Sequence, residues 1–323
     1  MQPEVALARL DPPDPADADA AECRRILALG SRSFSAASRL LPSRVRPSIA
    51  AIYAFCRIAD DAIDDGPDPA AALEELRRLL DRVYEGVPGD SAVERSLTRV
   101  VHAHGVARPV LEALLAGFAS DARGDRHETV EDLLSYAVQV ASTVGVAVTL
   151  VMGVRDRHVL SRASDLGAAM QLTNIARDVG EDARRGRVYL PAQWFAEVGL
   201  DRDAWLAAPK FEPRIAGLVE RILALADRYY RRADVGITAL PADCRASIRA
   251  ASLIYEDIGR VIRKRGCDSV GGRARTSAWR KFVLLLRARL VSPSPSARGE
   301  TDAMQAPAIP LASLLVNACV VGQ

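Results

Sequence analysis

A chain of 323 residues that is 49% hydrophobic can bury a large core. Its 43 basic and 41 acidic residues leave a formal charge of +2, which excludes nucleic-acid binding through net charge and confines any charge-driven function to local clusters. Five cysteines, odd in number and without a CxxC spacing, suit a reducing compartment better than a disulfide framework or a zinc site.

The first 20 residues, with "DPPDPADADA", are acidic and proline-rich and lack an apolar h-region, so they read as a disordered leader and not as a secretory signal. From there apolar residues recur at helical spacing, with prolines and glycines between the runs, and the chain reads all-α. The pattern predicts helices over residues 19–29, 31–41, 44–65, 70–85, 91–104, 108–122, 129–152, 157–184, 213–238, 242–265 and 276–290. No linker or fixed-period repeat interrupts residues 21–290, which are expected to form one domain. Residues 291–323 change to a proline- and serine-rich stretch with a short apolar end, a tail of unknown role that could dock on the body, lie on a membrane or be dispensable.

The helix expected at 44–65 carries "YAFCRIADDAIDDG", with Asp60, Asp61, Asp64 and Asp65 on adjacent turns. Two unit charges ~4 Å apart repel by ~1 kcal/mol in water and ~4 kcal/mol at an effective dielectric of 20. Tyr53, Arg57, Asp60 and Asp64 fall within about 60° around the axis. Such a face calls for cations. The alternative is a helix end spilling acids into water, although the negative helix C-terminus disfavours them.

The segment from Leu133 to Val154 has no charged residue and is long enough to span a bilayer. Its serines, threonines, glutamine and tyrosine favour a buried helix over insertion. Downstream, in "AAMQLTNIARDVGEDARRGRVYLP", Gln171, Asn174, Asp178 and Asp182 form a second stripe about 80° wide. Asn and Asp are poor in helix interiors, so several on one stripe need an explanation. Oxygen-only donors suit Mg²⁺ (or Mn²⁺), with substrate phosphates completing the shell. Arg57, Arg177, Arg184, Arg185 and Arg187 are suited to diphosphate oxygens. No P-loop and no GxGxxG after a strand is present, so neither an ordinary P-loop NTPase nor an NAD(P)H enzyme is expected.

With both stripes in view, the chain resembles the squalene and phytoene synthase family, most like its bacterial 15-cis-phytoene synthase branch. The resemblance covers about residues 22–290 and rests on "SRSFSAASRLLP", "YAFCRIADDAIDD", "ASTVGV", "QLTNIARDVGEDARRGRVYLP" and "YYRRADVGITALP". It implies an isoprenoid-synthase helical bundle with a central apolar cavity. It also implies head-to-head condensation of two geranylgeranyl diphosphates through prephytoene diphosphate to phytoene, the first committed step of carotenoid biosynthesis. By position, Asp60, Asp61 and Asp64 match the first aspartate motif and Asn174, Asp178 and Asp182 the second, as metal ligands, with Gln171 beside them. Ser31, Ser33, Phe34, Tyr53, Arg57 and Arg177 match or fit positions near the diphosphate, and Tyr136, Val140 and Gly145 match the cavity wall. Tyr189 and Tyr255 match tyrosines near the reacting centre, although either could be a packed core residue.

One segment departs from the family. Where bacterial relatives commonly carry an Arg-Arg pair, this chain has Gly271, Gly272, Arg273, Ala274 and Arg275, leaving Arg273 and Arg275 as candidate diphosphate contacts on a loosened loop. Rival readings are a presqualene or dehydrosqualene synthase using farnesyl diphosphate, and a non-catalytic lipid-binding or assembly protein. Lipid substrates imply a cytoplasmic enzyme peripheral on the inner face of the membrane, with downstream carotenoid enzymes as neighbours.

Overall fold

The computed structural model describes residues 15–291 and 309–320, which are helical with no strand among them. The chain runs through α1 (Pro15–Gly30), α2 (Arg32–Ser38), α3 (Arg46–Asp64), α4 (Pro69–Glu85), α5 (Ala92–His104), α6 (Arg108–Arg123) and α7 (Val130–Ala137). A π-helical turn (Val138–Ser142) joins α7 to α8 (Thr143–Val151), followed by α9 (Arg157–Arg184), α10 (Ala192–Glu197), α11 (Arg202–Ala207) and α12 (Pro213–Ile237). The remaining elements are α13 (Ala242–Lys264), α14 (Ala278–Leu290) and α15 (Pro310–Val320).

Start signals place these helices. Asp68 accepts from the amides of Ala70 and Ala71 to open α4, Thr129 and Asp132 form a capping box at α7, and the Asp156 carboxylate takes the Val159 amide to start α9. Their apolar faces pack into two large clusters. One gathers α3, α5, α6 and α8 around Phe55, Leu97, Leu114 and Leu150. The other gathers α9, α12 and α13 around Leu172, Ile222 and Ile262, and Val140 and Ile248 touch both. α9 and α12, the two longest helices, lie against each other and carry the interior of the second cluster.

Three expectations change. The end of the expected 20-residue leader is helical, because α1 begins at Pro15 and buries Asp19 between Arg95 and Arg99 at 2.5 and 2.7 Å; residues 1–14 lie outside the described part. The apolar helix expected over 129–152 is broken by the π-helical turn, and Leu133, Val138, Val146 and Leu150 are wholly buried, so this segment serves as a core element. In the tail, residues 292–308 lie outside the described part, while α15 docks on α6, α7 and α9 through Ile309, Leu315, Val316 and Cys319. The five cysteines are free thiols.

Candidate active site

A cavity of about 1020 Å³ enters the bundle, above the ~300–1,000 Å³ typical of ligand pockets. Val148, Leu166, Ile237 and Ile248 give it an apolar wall, and Arg57, Asp60, Arg177 and Arg273 a charged one. The wall takes its shape from close backbone contacts. A Cβ on Gly145 would lie 2.6 Å from the Ala163 carbonyl oxygen, and one on Gly167 would lie 2.6 Å from the Ala141 carbonyl, so α9 and the π–α8 segment meet backbone to backbone. Gly145 therefore lines the cavity as expected, but the space its missing side chain leaves is filled by α9 and not by open cavity, so its small size serves helix packing. The neighbouring π turn places Val140 and Ala141 on the cavity wall, as such turns often do at functional sites.

Ser31, Ser33, Phe34, Tyr53, Arg57, Asp60, Tyr136, Gln171, Asn174, Arg177, Tyr255 and Arg273 also border the cavity, from five helices and the loop before α14. Ser31 caps α2 by accepting from the Phe34 amide at 3.1 Å, and Phe34 stacks on Tyr53 with centroids 5.4 Å apart. Burial pushes the Tyr53 phenol up to about 12. Burial pushes the Tyr255 phenol up, against the opposing Arg177 charge and Ser31 hydroxyl.

The acidic residues are organised by arginines. Arg57 donates to Asp61 at 2.9 Å and lies 3.5 Å from Asp60. Asp64 accepts from Arg187 at 2.8 Å and Arg185 at 3.2 Å, which ties α3 to the turn after α9. Asp178 accepts from Arg177 at 2.6 Å and forms a two-pronged pair with Arg273 at 2.7 and 2.9 Å. The loop that carries Arg273 sits directly on α9: the Gly180 amide bonds to Ser269 O at 3.0 Å, and a Cβ on Gly180 would meet Val270 O at 2.4 Å. Arg273 also pairs with Glu181 at 3.1 Å. The Gly271–Gly272 departure thus leaves this arginine docked, helped by Asp268, whose carboxylate accepts from the Val270 and Gly271 amides at 3.0 and 2.9 Å.

Asp61, Asp64, Asp178, Asp182 and Tyr189 do not border the main cavity, and no group of three or more His, Cys, Asp or Glu side chains converges on one point among the described residues. The six expected ligands lie on two stripes, with arginines between them. Their donor chemistry nevertheless fits a hard dication. The Asn174 Oδ1 is buried without a hydrogen-bond partner. Burial, then the neighbouring carboxylates, push Asp60 up to about 6 and Asp182 to about 7, a crowding that a dication would relieve.

Sequence reasoning missed Asp121. This α6 carboxylate borders the cavity and accepts hydrogen bonds from Tyr136 at 2.9 Å and Tyr189 at 2.8 Å, while the two rings stack at 5.1 Å with His127 packed on both. Burial pushes Asp121 up to about 6 despite the two hydroxyls. Asp121 in "GFASDARGD", with Asp125 falling past the helix-ending Gly124, forms no stripe of its own, and only the fold brings it to tyrosines 15 and 68 residues away.

Residues 27–280 match the family described as squalene/phytoene synthase. The chain is 45% identical to a phytoene synthase of Cereibacter sphaeroides, over 94% of this chain and 88% of that one. It is 38% identical to a 15-cis-phytoene synthase of Enterobacter agglomerans, over 80% of this chain and 91% of that one. A solved dehydrosqualene synthase superposes with a TM-score of 0.77 at 31% identity, covering 85% of this chain and 98% of that chain. With its helical bundle, its cavity and both aspartate stripes in place, the chain belongs to the squalene/phytoene synthase family.

Proposed function

We propose that the protein is a prenyltransferase that joins two molecules of geranylgeranyl diphosphate head to head to give phytoene, through the catalytic unit of residues 21–290. The observation that carries this reading is one cavity of about 1020 Å³ with an arginine-rich wall and an apolar wall, in a chain whose phytoene synthase relatives match it along most of its length. In the first step the donor's C1–oxygen bond breaks and diphosphate leaves with the electron pair. The other molecule's double bond attacks that carbon, and loss of a proton closes a cyclopropylcarbinyl diphosphate. Departure of the second diphosphate, rearrangement and loss of a second proton give phytoene.

Arg57, Arg177 and Arg273 stand where negative charge grows on the leaving diphosphate, and their partners Asp61 and Asp178 hold their forks in place. Asp60, Asp61, Asp64, Asn174, Asp178 and Asp182 would hold Mg²⁺ (or Mn²⁺), which when bound stabilises the departing diphosphate as a Lewis acid. Ser31, Ser33, Gln171 and Tyr53 border the same wall and would orient the diphosphate. The apolar wall, including Val140, excludes water that would quench a carbocation. Asp121 holds the Tyr136 hydroxyl at the cavity wall with Tyr189 bonded behind it, and Tyr255 borders the same cavity as Ser31 and Arg177. No redox step occurs, so no reducing cofactor takes part.

The dehydrosqualene synthase superposition favours a second reading, the same chemistry on farnesyl diphosphate. Incubating the protein with labelled farnesyl and geranylgeranyl diphosphates and Mg²⁺, then sizing the extracted products, distinguishes the two. Because substrate and product are lipids, we place the enzyme in the cytoplasm, peripheral on the inner face of the membrane and near the enzymes that consume phytoene.

A further inference from the structure

We infer that α14 is an interfacial helix that seats the enzyme on an anionic phospholipid surface beside the cavity opening. This rests on the lipid-substrate reading above and names the surface that serves it. Five of the eleven exposed large hydrophobic side chains among the described residues fall between positions 279 and 291. Trp279, Phe282, Leu286 and Leu290 are 72, 50, 42 and 78% exposed. At 100° per residue they form one stripe about 80° wide, opposite the Leu284 and Ala288 side that packs on Ala250 and Ile254 of α13. The α13 contact therefore leaves this second apolar face uncovered by the described residues. Trp279 and Phe282 have centroids 5.6 Å apart, an aromatic pair at the N-terminal end of the stripe.

The charges identify the occupant. Arg287 and Arg289 flank the stripe about 100° and 60° from its centre on opposite sides, both are exposed, and α14 contains no acidic residue. An apolar stripe with tryptophan and flanking arginines matches a headgroup layer with acyl chains beneath, whereas a second copy would bring like-charged arginines against each other. Position supports the same occupant. Ala278 and Lys281 of α14 border the cavity, as does Leu29, which is 73% exposed. A helix lying in the headgroup region at that rim would let prenyl tails pass between bilayer and cavity without crossing water.

The test is vesicle binding by the full chain. Trp194 and Trp205 are only 8 and 7% exposed, so changes in tryptophan emission report on Trp279. With phosphatidylglycerol-containing vesicles the protein should co-sediment, its emission should shift to the blue, and brominated acyl chains should quench it; phosphatidylcholine alone should bind it less. Phe282→Ser with Leu286→Ser should weaken binding at least about tenfold. Arg287→Glu and Arg289→Glu should each cost about fivefold on anionic vesicles only. Both sets should keep the melting temperature and turn over detergent-dispersed geranylgeranyl diphosphate at the wild-type rate. Equal vesicle binding by wild type and variants, no binding by wild type, or a concentration-dependent dimer abolished by the serine changes in place of vesicle binding would each overturn the inference. Vesicle binding is read without substrate, so a protein that bound vesicles in this way but made no phytoene would overturn the function reading and leave this one standing.

Discussion

At the residue scale, like charge is tolerated where arginines or a cation balance it. Asp60 shares Arg57 with Asp61 and lies 3.5 Å from it, while burial and the neighbouring carboxylates still push its carboxyl up to about 6, so Asp60→Asn should leave the melting temperature unchanged or raised while turnover falls about 10²–10³-fold, a split read by calorimetry beside a product assay. Near-normal turnover would remove Asp60 from the metal set. Asp165 is a contrasting case. It accepts from Arg232 and Arg162, each at 3.1 Å, and Arg232 is only 1% exposed. Asp165→Asn should cost ~3–5 kcal/mol in urea denaturation, because it leaves a buried guanidinium without its counter-charge. Asp121 adds a pH dependence. Its carboxyl rises from 3.8 to about 6 on folding, so the folded protein binds the extra proton between those values. The stabilisation is full below 3.8, where both states are protonated, and is lost as pH rises to about 6. Asp121→Asn should flatten that fall in melting temperature, and should lower turnover at neutral pH by loosening Tyr136 and Tyr189; an unchanged pH profile would count against the buried carboxylate.

At the element scale, Gly145 and Gly167 hold α8 and α9 at backbone contact. Gly145→Leu should therefore overpack the contact, cost ~1–3 kcal/mol and reduce turnover of farnesyl and geranylgeranyl diphosphates alike. Selective loss of the longer substrate at an unchanged melting temperature would instead make Gly145 a limit on cavity length. The helices bounded by a proline, a glycine or a capping aspartate, α3 to α6, α9, α12 and α13, were legible in the sequence to within a few residues, and so were both stripes. The π turn was not, because residues 130–151 are apolar on nearly every side and an extra residue leaves no break in such a pattern. α10 and α11 are six residues each, shorter than two turns and too short to show a period. α15 was legible only as an apolar end, since what decides between docking and exposure is the groove offered by α6, α7 and α9.

At the scale of the whole molecule, the fold brings Arg57 and Asp60 of one charged stripe and Gln171, Asn174 and Arg177 of the other to a cavity whose remaining lining draws on eight further helices. The residue types at the charged wall were readable because diphosphate and metal chemistry restricts them to arginine, carboxylate and amide. The pairing of Arg273 with Asp178, 95 residues away, and of Asp64 with Arg187, 123 away, was not, because ion-pair choice depends on the packed geometry. The central claim is that this cavity condenses two twenty-carbon prenyl diphosphates without a reductant. Its most direct test is one incubation of purified protein with equal labelled farnesyl and geranylgeranyl diphosphates and Mg²⁺, without NADPH, followed by sizing of the extracted hydrocarbons. The expected result is phytoene as the main product, lost on chelation. A thirty-carbon product in place of phytoene, or no hydrocarbon at all from protein shown to be folded, would contradict it.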